Sequence, residues 1–327
     1  DLDADDHPDI VVTAASSAEL ATQSSSTAVL WGRPDGRPQR ATWTEGHLYD
    51  SARQLLAPLD DRPGDELVLA FYGGSVEIWS FVDGALALRS QTTTTLYRTA
   101  AVGVQTRADG PADIIVIAAA PDGNHWNLTA IPRNKAGELG DQLVTLADPM
   151  IGPYAPALTI ADFDADGYDD LVMLSGSGPH PHFIWGDKQR DPTTLDLAPI
   201  AGEPINITHA DMNNDGRPEL IVGTTMGVFS YAFTGREPAA PIALVNSSAH
   251  QGLLIADLEG DGYPDILRAA DNLLNVTLRA PGGDERVQLP VPASWSQLRA
   301  VDLDGDGILD LIGLRDGNVT TRLSAPQ

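Results

Sequence analysis

The stretch D-F-D-A-D-G-Y-D-D-L at residues 162–171 decides the fold of this chain, because its pattern recurs along the sequence. The pattern is D-x-D-x-D-G-x-x-D followed by an aliphatic residue, with Asn or Glu replacing some Asp. It returns at residues 211–220, 257–266 and 302–311, and a copy at residues 1–10 has Asp6 in place of the glycine. Carboxylates at alternating positions repel one another unless a cation lies among them, and Ca²⁺ prefers such oxygen ligands. The pattern therefore predicts a repeat protein with calcium-binding turns.

Two weaker copies bring the number of units to seven. The motifs start near residues 1, 58, 105, 162, 211, 257 and 302, so their spacing runs from 45 residues (257 to 302) to 57 (1 to 58). This period is typical of propeller blades or of a solenoid array. Each unit holds four short runs rich in Val, Ile, Leu and Thr, which predict one antiparallel sheet. The expected fold is an all-β, seven-bladed β-propeller of four-stranded antiparallel blades, with residues 1–327 as a single domain.

The sequence leaves open how such a ring closes. The first motif begins at Asp1 with no strand before it, and the last unit ends about one strand short. A ring needs its end blades joined, since otherwise two sheet edges stay exposed. Either residues before Asp1 complete the ring or the end units are reduced blades, with an open array as the weaker third alternative.

Each acidic turn offers five oxygen ligands. Slots 1, 3 and 5 supply side chains, slot 7 a backbone carbonyl, and slot 9 a carboxylate able to bind through both oxygens, while glycine at slot 6 permits positive φ. Four to five structural Ca²⁺ ions are expected. The predicted ligands are Asp1, Asp3, Asp5, His7 and Asp9; Asp162, Asp164, Asp166, Tyr168 and Asp170; Asp211, Asn213, Asp215, Arg217 and Glu219; Asp257, Glu259, Asp261, Tyr263 and Asp265; and Asp302, Asp304, Asp306, Ile308 and Asp310.

The two weaker copies carry an arginine at a ligand slot. Arg62 takes the fifth slot of the second unit, between Asp60 and Glu66, and Arg107 takes the third slot of the third unit. A guanidinium in the place of the ion can pair with the remaining carboxylates. We therefore expect these turns to keep their shape without metal.

Composition excludes several classes of function. The net charge of -26 argues against a nucleic-acid binder, because both partners would be strongly anionic. The chain has no cysteine, so neither disulfides nor thiol chemistry is available. It contains no run of eighteen apolar residues, so no direct membrane insertion is expected. Because weak calcium turns fill only where calcium is plentiful, we expect an exported protein that is extracellular or lies at the cell surface.

The acidic motifs resemble the FG-GAP and VCBS repeat families, whose members include the seven-bladed heads of integrin α subunits and several propeller lectins. The resemblance spans all seven repeats. Calcium turns in the integrin heads are concentrated in the later blades, as the complete motifs are here. The chain departs from that pattern by its additional motif at residues 1–9 and by lacking Gly-Ala-Pro. The resemblance implies the fold, whereas nothing in the sequence identifies an integrin-type partner.

That resemblance implies that ligands bind on the face opposite the calcium turns. Five aromatic residues map to this face and are candidate ligand-binding residues, as stacking platforms for a sugar ring, a cation or an inserted side chain. They are Tyr49, Tyr97, Trp126, Tyr154 and Trp295. The plainer alternative is that they pack between blades.

Three functions compete at this point. The first is a calcium-stabilised recognition or adhesion scaffold, integrin-α-head-like, that binds a protein or glycan. The second is a multivalent lectin, which would need a repeated aromatic and polar cluster in each unit. The third, a polysaccharide-acting enzyme, is disfavoured because the chain has no G-x-S-x-G or H-E-x-x-H motif and no cysteine nucleophile. We therefore expect a binding protein rather than an enzyme.

Overall fold

The computed structural model describes most of the chain, and its regular elements are all strands. The described residues are 1–15, 24–48, 53–71, 73–94, 97–107, 110–119, 125–140, 144–145, 150–151, 157–174, 181–186, 192–195, 197–246, 252–270, 273–290, 296–315 and 318–323. None of them forms a helix long and apolar enough to cross a bilayer.

Antiparallel sheets follow one another along the chain. Sheet 1 contains β1 (Ile10–Ala15), β2 (Ser24–Trp31) and β3 (Gln39–Leu48). Sheet 2 contains β4 (Arg53–Ala57), β5 (Glu66–Ala70), β6 (Ser75–Val82) and β7 (Ala85–Thr93). Sheet 3 contains β8 (Tyr97–Arg107), β9 (Gly110–Ala119), β10 (His125–Ile131), β11 (Val144–Thr145) and β12 (Met150–Ile151), and both β11 and β12 pair with β10.

The second half of the chain repeats this plan. Sheet 4 contains β13 (Ala157–Ala161), β14 (Asp170–Leu174), β15 (His182–Ile184) and β16 (Pro192–Thr194). Sheet 5 contains β17 (Pro204–Ala210), β18 (Glu219–Thr224), β19 (Val228–Tyr231) and β22 (Ile242–Val245), and it carries a hairpin of β20 (Phe233–Thr234) and β21 (Glu237–Pro238). Sheet 6 contains β23 (Leu253–Ala256), β24 (Asp265–Ala270), β25 (Leu273–Leu278) and β26 (Glu285–Pro290). Sheet 7 contains β27 (Ser296–Val301), β28 (Asp310–Arg315) and β29 (Asn318–Arg322).

The second strand of a blade lies deepest in the fold. β5, β14 and β18 are buried along their whole length. They are short apolar runs without alternation, as expected for strands covered on both faces. Apolar clusters fill the spaces between successive sheets, and the one between sheets 4 and 5 contains Phe163, Phe183, Trp185 and Phe233. This is the stacking of sheets around an axis that defines a propeller.

The ring closes through the two end sheets, each of which has only three strands among the described residues. Gly36, in the turn between β2 and β3, lies against Asp304 and Leu323 of sheet 7. The predicted all-β propeller of four-stranded antiparallel blades is confirmed, but the predicted number of seven is wrong: five sheets are complete blades, and the two short end sheets, counted together as the closing unit, give six. Each end sheet has three strands among the described residues, so neither forms a complete blade by itself.

Candidate metal centres in the acidic turns

The acidic turns occupy equivalent positions in their sheets. Four of them join the first strand to the second, as between β13 and β14, and the turn at residues 1–9 leads directly into β1. Slot 9 is the first residue of the second strand in the four later turns, at Asp170, Glu219, Asp265 and Asp310. The motifs therefore place their carboxylates at the same end of each sheet.

A shared set of hydrogen bonds shapes all five turns. In the turn at 162–170, the Asp162 carboxylate accepts the amide N–H groups of Asp166 at 3.1 Å and Gly167 at 2.9 Å. The slot 5 carboxylate of Asp166 accepts the N–H of Tyr168 at 2.9 Å. The other four turns repeat these three contacts at 2.7 to 3.2 Å. Slots 1 and 5 thus turn their carboxylates toward the interior of the loop, as local side chain-to-backbone bonds of Asp commonly do.

The slot 9 carboxylate ties the turn to the sheet. Asp170 is fully buried and accepts the N–H of Phe163 and, from the end of the third strand, the N–H of Gly186, both at 2.8 Å. Asp265 does the same with Leu258 and Arg279 at 2.9 and 2.8 Å. This residue therefore has a structural role in the strand connection as well as a predicted role as ligand.

Two slots of each turn have left-handed backbone. The predicted positive φ at slot 6 is present at Gly167, with φ of 89°, and Asp6 adopts φ of 68° in the turn that lacks the glycine. Slot 4 is also left-handed, which the sequence reading missed although Gly260 and Gly305 stand there. Ala4 and Ala165 occupy the same slot with φ of 58° and 59°, a conformation that costs a non-glycine residue roughly 1–2 kcal/mol.

In each of three turns, the carboxylates lie close enough together to bind one cation. Within each of three groups among the described residues, the oxygens lie within 4.8 Å of one another: Asp1, Asp3 and Asp5; Asp162, Asp164 and Asp170; and Asp302, Asp304 and Asp306. Burial, opposed by hydrogen bonds from Gly186 and Phe163 and reinforced by Asp164, raises the pKa of Asp170 to about 7. Burial likewise raises the pKa values of Glu219 and Asp265.

The donor set fits a hard divalent cation. It consists of carboxylate, amide and backbone oxygens, which are the ligands of Ca²⁺. One buried oxygen, Asp3 Oδ1, has no hydrogen-bond partner among the described residues, although Asp3 lies in one of the three groups. An unpaired buried oxygen is costly, so a cation at this place would relieve it. The turn at 211–219 fits less well, because the amide N–H of Asn213 donates to Glu219 at 2.5 Å.

Arginines fill the turn at residues 58–66, as predicted for Arg62. Its guanidinium lies 3.0 Å from the Asp60 carboxylate and 3.6 Å from that of Glu66. Arg89 of β7 joins the same two carboxylates. Burial raises the pKa of Asp60, but hydrogen bonds from Arg62 and then Arg89 outweigh it and hold the pKa at about 2. The side chain of Arg107 lies outside the described residues, so its pairing stays a prediction.

Arginines from the following sheet reach the turns of the preceding one, which sequence reasoning missed. Arg133 donates to the carbonyl of Leu59 at 2.6 Å, and Arg279 donates to that of Met212 at 2.8 Å. Each stands one or two residues after a third strand, at the ends of β10 and β25. The sequence does show an arginine at the same place after the third strand in both units. Its contact could not be predicted from this, because the carbonyl it reaches belongs to the neighbouring sheet.

Of the five aromatic residues predicted to bind a ligand, only Trp126 has its side chain among the described residues. Trp126 on β10 is half-buried and packs against the apolar cluster between sheets 3 and 4, which includes Ile115 and Leu171. Tyr49, Tyr154 and Trp295, and the side chain of Tyr97, lie outside the described residues. Their role in binding stays a prediction.

Comparison with known proteins identifies repeats in the later part of the chain. Residues 162–222, 211–268 and 257–313 match the FG-GAP-like repeat in three copies. These copies begin at three of the acidic turns described above, so the predicted FG-GAP resemblance is confirmed there and is combined with a β-propeller arrangement. No curated protein sequence matches the chain.

Several solved structures share the fold at low sequence identity. An Agrocybe aegerita lectin that recognises non-reducing terminal N-acetylglucosamine is 15% identical, with a TM-score of 0.63 over 95% of this chain and 93% of the lectin. A Bacteroides uniformis protein described as a candidate 6-phosphogluconolactonase is 12% identical, with a TM-score of 0.57 over 95% and 94%. Saccharomyces cerevisiae Sqt1 is 12% identical, with a TM-score of 0.56 over 97% and 84%. At these identities the likeness extends to the fold alone.

Proposed function

We propose that this propeller, with its three FG-GAP-like repeats, is a calcium-stabilised recognition scaffold that works outside the cell and binds a protein or glycan. The observation that carries the proposal is the convergence of carboxylate oxygens in three equivalent turns, each within 4.8 Å. Four to five turns would each hold one structural ion. Bound Ca²⁺ would supply positive charge that neutralises the crowded carboxylates and links the turn to the buried second strand.

Calcium is favoured over magnesium by the shape of these turns. Each combines several side-chain oxygens with the carbonyl of slot 7, in a loop held open by its own hydrogen bonds. Magnesium demands a small octahedral shell and gives up its water reluctantly, so an open loop with this many oxygen ligands suits it poorly.

Thermal unfolding tests the metal proposal directly. The protein freed of metal by a chelator should melt at least about 5 °C lower than the protein in excess calcium, because binding to the folded state alone stabilises it. Magnesium should restore less of the loss.

A pair of variants separates binding in the turns from a general effect of charge. The double substitution Asp304→Asn with Asp306→Asn should reduce the number of ions measured by calorimetry by one, whereas Asp284→Asn, an exposed acid outside the turns, should leave it unchanged. Equal melting temperatures in calcium and chelator would contradict the proposal.

The ligand-binding face is proposed to lie opposite the acidic turns, at the mouth of the ring. A multivalent lectin is the second candidate, since a propeller lectin shares the fold with a TM-score of 0.63. A glycan array probed with and without calcium distinguishes the two, because several equivalent sugar sites would favour the lectin. Hydrolysis of a sugar lactone or polysaccharide would contradict both binding functions, and the similar candidate lactonase makes that control worthwhile.

A further inference from the structure

The hairpin β20–β21 of sheet 5 is fixed against sheet 4 by aromatic packing. Phe233 at its base is buried, with ring centroids 5.6 Å from those of both Phe163 and Phe183 and 6.3 Å from that of Trp185. Phe163 is itself slot 2 of the acidic turn at 162–170. The tip of the hairpin, Gly235 and Arg236, is therefore held next to that turn.

Arg236 at the tip places a positive charge on the turn. Its Nε lies 3.0 Å from Asp164 Oδ2 and a terminal nitrogen lies 3.8 Å from Asp166 Oδ2. The guanidinium carbon also stands 5.1 Å from the centre of the Trp185 ring. Asp164 is nearly buried, with its side chain 6% exposed, and it belongs to the oxygen group of this turn. One carboxylate thus serves both an arginine and the candidate ion site.

We propose that Arg236 is a built-in cation that competes with calcium for the turn at 162–170, so that metal binding there releases the hairpin tip. The inference rests on the metal-binding function proposed above and adds a regulation specific to one turn. A guanidinium and Ca²⁺ that share Asp164 repel each other, and the stacking on Trp185 adds to the energy that holds the arginine in place. This turn should bind calcium more weakly than its counterparts.

The other turns provide the contrast. The turn at 58–66 is filled by Arg62 and Arg89 through two carboxylates. At 211–219 the neighbouring arginine, Arg279, reaches the carbonyl of Met212. The turn at 162–170 is intermediate, because an arginine contacts its carboxylates but comes from a separate hairpin. The side chain of this arginine, Arg236, is 39% exposed. Arg236 can therefore move away from the turn without the unfolding of a strand.

Terbium titration of the metal-free protein tests this competition, using Trp185 as the sensitiser of the adjacent turn. The part of the luminescence that Trp185→Phe abolishes reports on the turn at 162–170. Arg236→Gln, which removes the charge and keeps a polar side chain on the same aliphatic stem, should tighten half-saturation of that signal about tenfold, as expected for removal of a like charge close to the ion. Arg236→Lys should stay near wild type, and Arg286→Gln, an exposed arginine on β26, should change it less than twofold.

Amide hydrogen exchange provides a second readout. In the wild-type protein, calcium should speed exchange at residues 234–237 while it slows exchange in the turn. If ions bind at other turns but Arg236→Gln does not change the Trp185-dependent signal, the proposed competition is wrong while the proposed metal-binding function stands. No terbium or calcium binding by any variant would overturn this inference together with the proposed function.

Discussion

At the scale of single residues, the acidic turns differ in the cation that faces their carboxylates. In the turn at 58–66 that cation is Arg62, supported by Arg89, and the Asp60 carboxylate lies between them. In the turn at 257–265, by contrast, burial and then the neighbouring carboxylates of Asp265 and Asp261 raise the pKa of Glu259. Turns at equivalent places in the blades thus carry an internal ion pair in one case and, as proposed above, an ion site in the others.

Asp60→Asn should lower the free energy of unfolding by about 2 kcal/mol at pH 7, because two arginines lose a charged hydrogen-bond partner. A carboxyl whose pKa is lowered in the folded state contributes stability above its unfolded value of 3.8, and this contribution disappears as the pH falls through about 2. The difference between variant and wild type should therefore be the same at pH 7 and near pH 4.5, measured by urea unfolding with chelator present. A difference that vanishes by pH 4.5 would show that the pKa of Asp60 is not lowered.

At the scale of elements, the ninth residue of each turn explains why the turns and strands form one unit. In the four later turns it starts the second strand of the sheet, and in all five turns it accepts the N–H of slot 2 at 2.7 to 2.9 Å. In three of the turns it also accepts an N–H from a residue just after the end of another strand of the same sheet. These donors are Gly32 after β2, Gly186 after β15 and Arg279 after β25. The carboxylate therefore joins three strands at a single point, with or without an ion.

Asp170→Ala should destabilise the protein by about 2 kcal/mol even in chelator, because the N–H groups of Phe163 and Gly186 would be left buried without partners. Asp166→Ala in the same turn is the matched control, since its carboxylate is exposed, accepts the N–H of Tyr168 within the turn and has only a long contact of 3.8 Å to Arg236. Its cost in chelator should be below about 1 kcal/mol. Equal losses for the two variants in urea unfolding would refute a separate structural role for slot 9.

At the scale of the whole molecule, closure of the ring depends on the contact between the two incomplete sheets. Successive complete sheets share buried apolar clusters, as sheets 2 and 3 do through Leu59, Val68 and Ile114. The end sheets meet instead where Gly36, with φ of 65°, lies against Asp304 in the last acidic turn. The place where the ring closes is therefore also the place where a candidate metal centre touches the first sheet.

Gly36→Ala should weaken this closure, because the added Cβ would lie 2.7 Å from the Cβ of Asp304. Gly84→Ala is the control: it has φ of 83° and open space around the added carbon, so it carries the backbone strain alone. Gly36→Ala should cost at least about 1 kcal/mol more than Gly84→Ala, as overpacking at a tight contact does. Identical melting temperatures for the two variants would show that this contact contributes nothing to closure.

The sequence by itself determined the repeat, the β class and the geometry of the acidic turns. Those features are local: the hydrogen bonds of a turn span at most nine residues, and an uninterrupted apolar run such as Leu171–Leu174 predicts a strand covered on both faces wherever it is placed. Tertiary structure alone decided which arginines from other strands and hairpins meet these carboxylates, and how many blades the ring contains. Arg236 and Asp164 are 72 residues apart, and Arg89 and Asp60 are 29 apart. Such contacts follow from the angle at which twisted sheets stack, which accumulates around the ring and is encoded in no single motif.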